Sequence, residues 1–131
     1  MTKLTRLLAH EMAARLRAGD VSSRDLTEAH LAAAEAGNPT LNAWLSIDRD
    51  RALGEADAAD GRIAAARADG SSALSALPPL AGIPVALKDL VSVKGGQCTA
   101  GSKPGGHLVR QQASQFGHRT PIARRGSTGR R

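Results

Sequence analysis

The sequence predicts an α/β chain in which a helical lead-in precedes a strand and a basic tail. Apolar residues recur every three or four positions through most of residues 1–70, which is typical of amphipathic helices. A continuous apolar run, Val85-Ala86-Leu87, follows Pro84, and no acidic residue follows Asp89. We therefore divide the chain into a helical lead-in with a short strand (residues 1–70), a linker with a lysine-bearing strand and loop (71–103), and a disordered basic tail (104–131).

The lead-in begins with two predicted helices. The first ends near Gly19, because glycine commonly closes a helix. The second begins at Ser22-Ser23, where a hydroxyl can accept a hydrogen bond from a free N–H and Asp25 favours the positive end of the helix dipole. Residues 37–39, Gly-Asn-Pro, would end it at about Ala36. The short connection predicts that the two helices form an antiparallel pair. The apolar stripe of the first helix comprises Leu4, Leu7, Leu8, Met12 and Leu16.

A short strand and a third helix are predicted next. Residues 41–47, LNAWLSI, alternate well enough for a strand, and Trp44 is the one large aromatic side chain available to a core. Asp48 can cap a helix that runs to about Arg67, and a loop follows it from Asp69 to Pro79. The predicted apolar stripe of this helix comprises Ala52, Leu53, Ala56, Ala59, Ile63 and Ala66, and its solvated face comprises Arg51, Glu55, Asp57 and Arg62.

Lys88 is the candidate site residue because it follows the apolar run. Pro84 has no N–H for a sheet ladder, so a buried strand can begin only at about that position. The unbroken apolar run suits a strand covered on both faces. Ligands bind beyond the carboxyl ends of such strands, which is where Lys88 would lie. Two interpretations are open, a functional amine or a lysine that ends the strand and extends into solvent, and the pattern alone favours the second.

Residues 79–103, PLAGIPVALKDLVSVKGGQCTAGSK, resemble the amidase signature family, and the helices upstream extend this likeness over residues 4–103. The resemblance is nearest to the A subunits of the amidotransferases that act on glutamyl-tRNA(Gln) or aspartyl-tRNA(Asn). It implies a mixed sheet covered by helices, in which a strand of the type GIPxxxKD presents a lysine to a serine in a cis peptide and then to a nucleophilic serine. Lys88 matches that lysine.

The same resemblance implies a function. Such a protein hydrolyses glutamine and supplies the ammonia for amidation of a mischarged tRNA. It implies other amidotransferase subunits and charged tRNA as partners, ATP and Mg²⁺ as cofactors of the intact complex, and a cytoplasmic location without a membrane. We expect no residue of this chain to bind ATP or a metal ion.

Family members take both serines from a segment of the form GGSSGGS, which this sequence does not contain. Residues 125–129, RGSTG, have the wrong spacing and too few serines. The resemblance therefore implies an N-terminal fragment that carries one of three catalytic groups and is inactive by itself. Two alternatives remain open: a fragment of another amidase of the family, and a small basic RNA-binding protein.

Three further features invite a chemical interpretation. His10 and His30 lie on different predicted helices without neighbouring Cys or His, so surface or capping positions are favoured over metal binding. The pair Gly96 and Gly101 has P-loop spacing, but Ser-Lys follows where a P-loop needs Lys-Ser or Lys-Thr, so a turn is favoured.

Cys98 is the one cysteine, which excludes an internal disulfide. It could act as a nucleophile with His107 or His118 as its base, but nothing in the sequence fixes either histidine near it. A small, semi-buried structural cysteine is therefore the favoured interpretation.

The tail differs in charge from the rest of the chain. Residues 1–89 hold 12 acidic and 10 basic residues, whereas residues 90–131 hold 8 basic residues and no acid. Two explanations are open. A reading-frame shift in GC-rich DNA would produce such an Arg/Gly/Pro/Ser-rich sequence, whereas a genuine basic arm would contact nucleic-acid phosphates. The frame shift is favoured, because the change falls inside a family motif and Phe116 is the only stacking group in the tail.

Overall fold

The computed structural model of the chain describes residues 3–91 and 98–101. Contacts divide the chain into two compact units, Met1–Ala86 and Leu87–Arg131, and each unit is considered by itself. The predicted helical lead-in is confirmed, and within the described ranges all regular secondary structure is helical. The elements are a 3-10 turn at Leu4–Arg6 and four helices: α1 (Ala9–Ala18), α2 (Ser23–Leu41), α3 (Arg49–Ala68) and α4 (Ser71–Ala76). Among the residues described, none of the helices combines the length and the apolar character needed to cross a bilayer.

The first predicted helix is two elements, a 3-10 turn and α1, and its predicted end is confirmed. The backbone N–H of Leu8 donates to the Glu11 carboxylate at 2.7 Å, which starts α1 at the next residue. Gly19 closes α1 in the left-handed region with φ 87°. The guanidinium of Arg67 on α3 donates to the Leu16 carbonyl at 2.9 Å, so it satisfies one of the carbonyls that a helix end leaves without an intrahelical partner.

The predicted start of α2 is also confirmed. The Ser22 hydroxyl accepts from the Asp25 N–H at 2.9 Å, and the Asp25 carboxylate accepts from the Ser22 N–H at 3.1 Å. A further carboxylate, Asp60 on α3, accepts from the Ser23 N–H at 2.6 Å and from the Arg24 N–H at 3.0 Å. The first turn of α2 is thus capped both by its own residues and by α3.

The predicted end of α2 and the strand predicted at residues 41–47 are wrong. The helix continues through Pro39 to Leu41 and ends at Asn42, which has φ 46° and donates to the Asn38 carbonyl at 2.7 Å. Proline has no N–H, so α2 continues past Pro39 without the bond that an ordinary residue at this position would donate to the Glu35 carbonyl. The Asn38 side chain then accepts from the Trp44 N–H at 2.9 Å and donates to the Trp44 carbonyl at 3.2 Å, so the backbone polar groups of Trp44 bond to a side chain instead of a sheet.

The antiparallel pair predicted for the first two helices is not the main one, because α2 packs chiefly against α3. Arg24 pairs with Asp57 at 2.7 Å and Glu35 pairs with Arg49 at 2.9 Å, so sequence numbers rise along one helix as they fall along the other. The pair is therefore antiparallel. Helices α2 and α3 have 19 and 20 residues, whereas α1 has 10, so α2 and α3 can pack along a longer surface than either can with α1. These exposed ion pairs contribute little stability.

The core of the first unit is small and aliphatic. The predicted apolar stripe of α3 is confirmed, since Ala56, Ala59, Ile63 and Ala66 are buried. Trp44 is not part of this core, because 37% of its surface is exposed. The buried hydrophobic cluster comprises Leu7, Met12, Leu16, Leu26 and Ile63.

The segment after α3 is more than the predicted loop. Residues 71–76 form α4, and the Gly70 carbonyl accepts from the Leu74 N–H at 3.1 Å at its start. Leu74, Leu77 and Ile83 are partly buried against the core cluster. The apolar side chains of this segment therefore cover the helices, a tertiary contact that local composition does not reveal.

Gly82 joins the segment to the helices. Its carbonyl accepts from the buried Ser23 hydroxyl at 2.7 Å, and its φ is 80°. A Cβ on Gly82 would lie 3.0 Å from the Ile63 Cδ1 and 3.3 Å from the Leu16 Cδ1. Glycine is needed here both for the left-handed backbone and for the close approach to the core.

A candidate active-site loop

Lys88 lies in irregular backbone and its side chain is exposed. The strand predicted after Pro84 is not formed in the part of the chain that is described, and the predicted burial on both faces is absent, since Val85 and Leu87 are 65% and 55% exposed. A strand exists only where a second segment completes its hydrogen-bond ladder, and no described segment does so here.

A tight turn begins at Lys88. Its carbonyl accepts from the Val91 N–H at 2.8 Å. Asp89 lies inside this turn and is half-buried. The turn orients the Asp89 side chain toward residues 98–101, which donate hydrogen bonds to it.

The Asp89 carboxylate accepts three hydrogen bonds from residues 98–101. Its Oδ1 accepts from the Thr99 N–H at 2.7 Å, and its Oδ2 accepts from the Thr99 hydroxyl and from the Gly101 N–H, the latter at 2.9 Å. The Asp89 carbonyl accepts from the Cys98 Sγ at 3.0 Å and from the Ala100 N–H at 3.4 Å. Each of these four consecutive residues therefore contacts Asp89.

The backbone of residues 98–101 is shaped for this contact. Ala100 and Gly101 both lie in the left-handed region, with φ of 50° and 74°. That conformation costs about 1–2 kcal/mol for a residue with a Cβ, so Ala100 adopts it only where other contacts compensate. The hydrogen bonds to Asp89 are such contacts.

These bonds also favour the ionised form of the Asp89 carboxyl. The Thr99 hydroxyl and amide, and then the Gly101 amide, hold the pKa of the Asp89 carboxyl below its ordinary value because they stabilise the ionised form. Within the described ranges, no ion pair joins Asp89 to its neighbour Lys88. Within the described ranges, the hydrogen bonds that the Asp89 carboxylate accepts all come from residues 98–101.

Of the other chemistry-bearing residues that are described, His10 and His30 belong to the first compact unit, and Cys98 acts within this loop structurally. Cys98 is half-buried and donates to the Asp89 carbonyl, which fits the structural interpretation; His107 and His118 lie outside the described residues. On α1 His10 is exposed, and on α2 the Nδ1 of His30 lies 2.7 Å from the Leu26 carbonyl, to which it donates. In the parts of the chain that are described, no three His, Cys, Asp or Glu side chains are grouped to hold a metal ion.

The P-loop alternative, which the sequence disfavours, falls mostly on residues 94–97 and 102–103, and these lie outside the described ranges. Among the residues that are described, the amides of Thr99 and Gly101 already donate to the Asp89 carboxylate. Amide donors that face a fixed carboxylate are not available to cradle a phosphate.

Sequence reasoning did not find the contact between Asp89 and Thr99. The local signal is weak: an aspartate just past an apolar run, and ten residues later a threonine among small residues. Asp side chains commonly accept from nearby backbone N–H groups, but partners across an intervening loop cannot be identified from spacing alone.

A family model of amidases matches residues 25–115, and this match includes Lys88 and the whole of the loop. The chain belongs to the amidase family, which confirms the resemblance. Over 103 residues it is 42% identical to the A subunit of glutamyl-tRNA(Gln) amidotransferase from Acidothermus cellulolyticus, a match that covers 79% of this chain and 19% of that protein. Over 93 residues it is 44% identical to the protein of the same name from Alkalilimnicola ehrlichii, covering 71% of this chain and 17% of that protein.

A third relative has the same name and a similar extent. The chain is 44% identical over 103 residues to the A subunit of glutamyl-tRNA(Gln) amidotransferase from Chloroflexus aurantiacus, which covers 79% of this chain and 20% of that protein. The chain thus spans about a fifth of the length of the curated relatives it matches. No solved structure gives a significant match.

Proposed function

We propose that this chain is the opening part of an amidotransferase A subunit, in which Lys88 serves the hydrolysis of glutamine. The observation that carries the proposal is the amidase match across residues 25–115, which spans Lys88. Identities of 42% and 44% to proteins named as the A subunit of glutamyl-tRNA(Gln) amidotransferase favour this branch of the family. The reaction class is amide hydrolysis through an acyl-enzyme.

The proposed role of Lys88 is to accept a proton. An ammonium group has no lone pair, so the lysine must be neutral before the reaction, and burial favours the neutral form because it raises the cost of the charge. In the proposed mechanism a bridging serine passes the proton of the nucleophilic serine to Lys88 as the nucleophile attacks the amide carbonyl. The C–N bond then breaks, ammonia leaves with the proton that Lys88 returns, and water hydrolyses the acyl-enzyme. Because Lys88 is exposed among the described residues, the proposal requires the remainder of a whole amidotransferase chain to cover it.

The proposed function depends on a proton relay that these 131 residues do not complete, because their sequence has no GGSSGGS segment. We expect the 131-residue polypeptide to release no ammonia from glutamine or asparagine. A coupled ammonia assay measures this, with Lys88→Ala as the baseline. Turnover above that baseline would contradict the assignment of the serines to a segment outside these residues.

The role of Lys88 itself is tested in a complete enzyme. The part of this chain that aligns with the Acidothermus cellulolyticus relative would replace the corresponding segment of that protein. We expect the chimera to hydrolyse glutamine, and Lys88→Ala to lower its kcat by about 100-fold or more. The control is Arg62→Ala, at an exposed position on α3 in the other compact unit, which should leave kcat unchanged. Equal activity of the two variants would contradict the proposed role.

The partners and cofactors of the whole protein belong to the same proposal. A protein of this kind would act with other amidotransferase subunits and with charged tRNA in the cytoplasm, and the complex would ligate ammonia using ATP and Mg²⁺. In this proposal the chain itself contributes one part of the glutaminase site.

Two alternatives have observations in their favour. The family model describes amidases in general, so another amide substrate is the first alternative, and a panel of amides in the chimera would detect it. The basic composition of residues 90–131 favours RNA binding, the second alternative. Filter binding to RNA with a steep loss of affinity on adding salt would support it. Sequencing the gene past codon 103 separates a basic arm from a frame shift, because only the latter has a serine-rich amidase segment in another frame.

A further inference from the structure

Asp89 has an unusual concentration of contacts for a residue next to a candidate catalytic amine. Its carboxylate and its carbonyl together accept from every residue of the 98–101 segment. The carboxylate contacts at 2.7 Å and 2.9 Å have the length of charge-assisted hydrogen bonds. A carboxylate that only faced solvent would accept from water, whereas the Asp89 carboxylate accepts from Thr99 and Gly101, 10 and 12 residues further along the chain.

We propose that Asp89 is a positioning residue of the hydrolytic site: it fixes residues 98–101 against the backbone that carries Lys88 and does not act as the counter-ion of that amine. This inference rests on the proposed function of Lys88. It concerns how the lysine is held, and it assigns Asp89 no contact with substrate.

The geometry supports the positioning role through the backbone next to Lys88. The Val91 N–H fixes the Lys88 carbonyl at 2.8 Å, and the bonds to Asp89 fix the next residue, so the backbone on the carboxyl side of Lys88 is held at two points. Small displacements of a catalytic group cost rate steeply, so a fixed backbone at Lys88 has a catalytic benefit.

Electrostatics supports the same role. A carboxylate paired with Lys88 would stabilise the ammonium and oppose the neutral amine that the proposed mechanism needs. Thr99 and Gly101 occupy the carboxylate with neutral donors. An aspartate can therefore stand beside Lys88 without favouring its charged form.

The structural part of the inference is tested on the 131-residue chain by amide hydrogen exchange. We expect Asp89→Asn to reduce the protection of the Thr99 and Gly101 amides by about tenfold or more, because an amide side chain presents a donor where the carboxylate presents only acceptors. Thr99→Val removes the hydroxyl and should weaken protection at Gly101, whereas Thr99→Ser keeps the hydroxyl and should retain it. Unchanged protection in Asp89→Asn would overturn the inference.

The catalytic part is tested in the chimera with the Acidothermus cellulolyticus relative. We expect Asp89→Asn to lower kcat by about 10–100-fold with little change in KM. Thr99→Val should lower kcat in the same direction, Thr99→Ser should restore it, and the double variant should be no worse than Asp89→Asn because both changes break one contact.

The pH profile distinguishes positioning from charge pairing. With positioning, the rising limb of the kcat–pH profile stays at the same pH in Asp89→Asn and only its height falls. Removal of a counter-ion would move that limb to lower pH, which would overturn the inference, as would an unchanged kcat. If Lys88→Ala were as active as the unsubstituted chimera, the proposed function would fail first, so the two failures are distinguishable.

Discussion

Gly82 shows how one residue without a side chain can determine the packing of a whole segment. We expect Gly82→Ala to lower the free energy of unfolding by about 2 kcal/mol, because the residue is left-handed and its Cβ would press on the core. The new Cβ would lie 3.0 Å from the Ile63 Cδ1. Urea unfolding followed by circular dichroism at 222 nm measures the change.

The matched control for this prediction is Gly61→Ala on α3. Gly61 has nothing within 4 Å of the position of a Cβ, and it lies inside a helix. Alanine should therefore raise the free energy of unfolding by about 0.5–1 kcal/mol. Equal and small effects of the two substitutions would show that Gly82 does not pack as described.

The candidate site is only partly predictable from single residues. Lys88 stands out in the sequence because it follows an apolar run and because that run resembles a family motif. The partners of Asp89 do not stand out in the sequence. Thr99 and Gly101 contact it across an intervening loop, and no local rule specifies the path of that loop. The residue type at a position determines which chemistry it can perform, whereas its environment depends on segments that are distant in the sequence.

The cap of α2 gives a prediction at the level of a helix. Hydrogen bonds from the Ser22 hydroxyl and the Ser22 N–H hold the pKa of the Asp25 carboxyl below its ordinary value. Because that pKa is lowered by folding, the cap stabilises the protein above about pH 4, the ordinary range of an aspartate, and the contribution is lost as pH falls through the lowered pKa. Asp25→Asn should therefore be less stable than the unsubstituted chain by about 0.5–1 kcal/mol at pH 6, and this difference should shrink as the pH is lowered toward 2.

Thermal unfolding at several pH values checks this prediction. Asp50→Asn is the control, because Asp50 is exposed in the first turn of α3 and its side chain makes no hydrogen bond to the described part of the chain. A stability difference for Asp25→Asn that is the same at pH 2 and pH 6 would show that the carboxylate does not contribute through its charge.

Helix boundaries were predicted well where their signal is local and poorly where it is not. Ser22 and Asp48 cap the helices that follow them through bonds three residues away, so the signal is local. Pro39 predicts a stop, yet α2 passes through it to Leu41, and the Asn42 N–H still donates to the Asn38 carbonyl. The helix α4 was missed because its apolar side chains are held by the core, and not by a sequence pattern of its own.

At the scale of the whole molecule, the contacts predict which part of the chain folds as a unit. Helices α1–α4 and the turn at Gly82 all lie in the compact unit Met1–Ala86. We expect a polypeptide of residues 1–86 to unfold cooperatively, with a free energy of unfolding within about 0.5 kcal/mol of the full chain, because it retains the buried cluster and its covering segment. Urea unfolding of both polypeptides measures the difference.

A shorter polypeptide, residues 1–77, is the informative comparison. It keeps helices α1–α4 but removes three contacts. These are the packing of Ile83 against the core, the Gly82 carbonyl that accepts from the Ser23 hydroxyl, and the Pro78 carbonyl that accepts from Arg17 at 3.3 Å. The exposed apolar surface and the unpaired buried hydroxyl should together lower the free energy of unfolding by about 2 kcal/mol relative to residues 1–86. If the two polypeptides were equally stable, residues 78–86 would be a passive connection and the helices alone would account for the fold. A lower stability for residues 1–77 would instead show that the segment leading toward Lys88 is built into the helical unit, which requires Gly82 and Ile83 as much as the helices themselves.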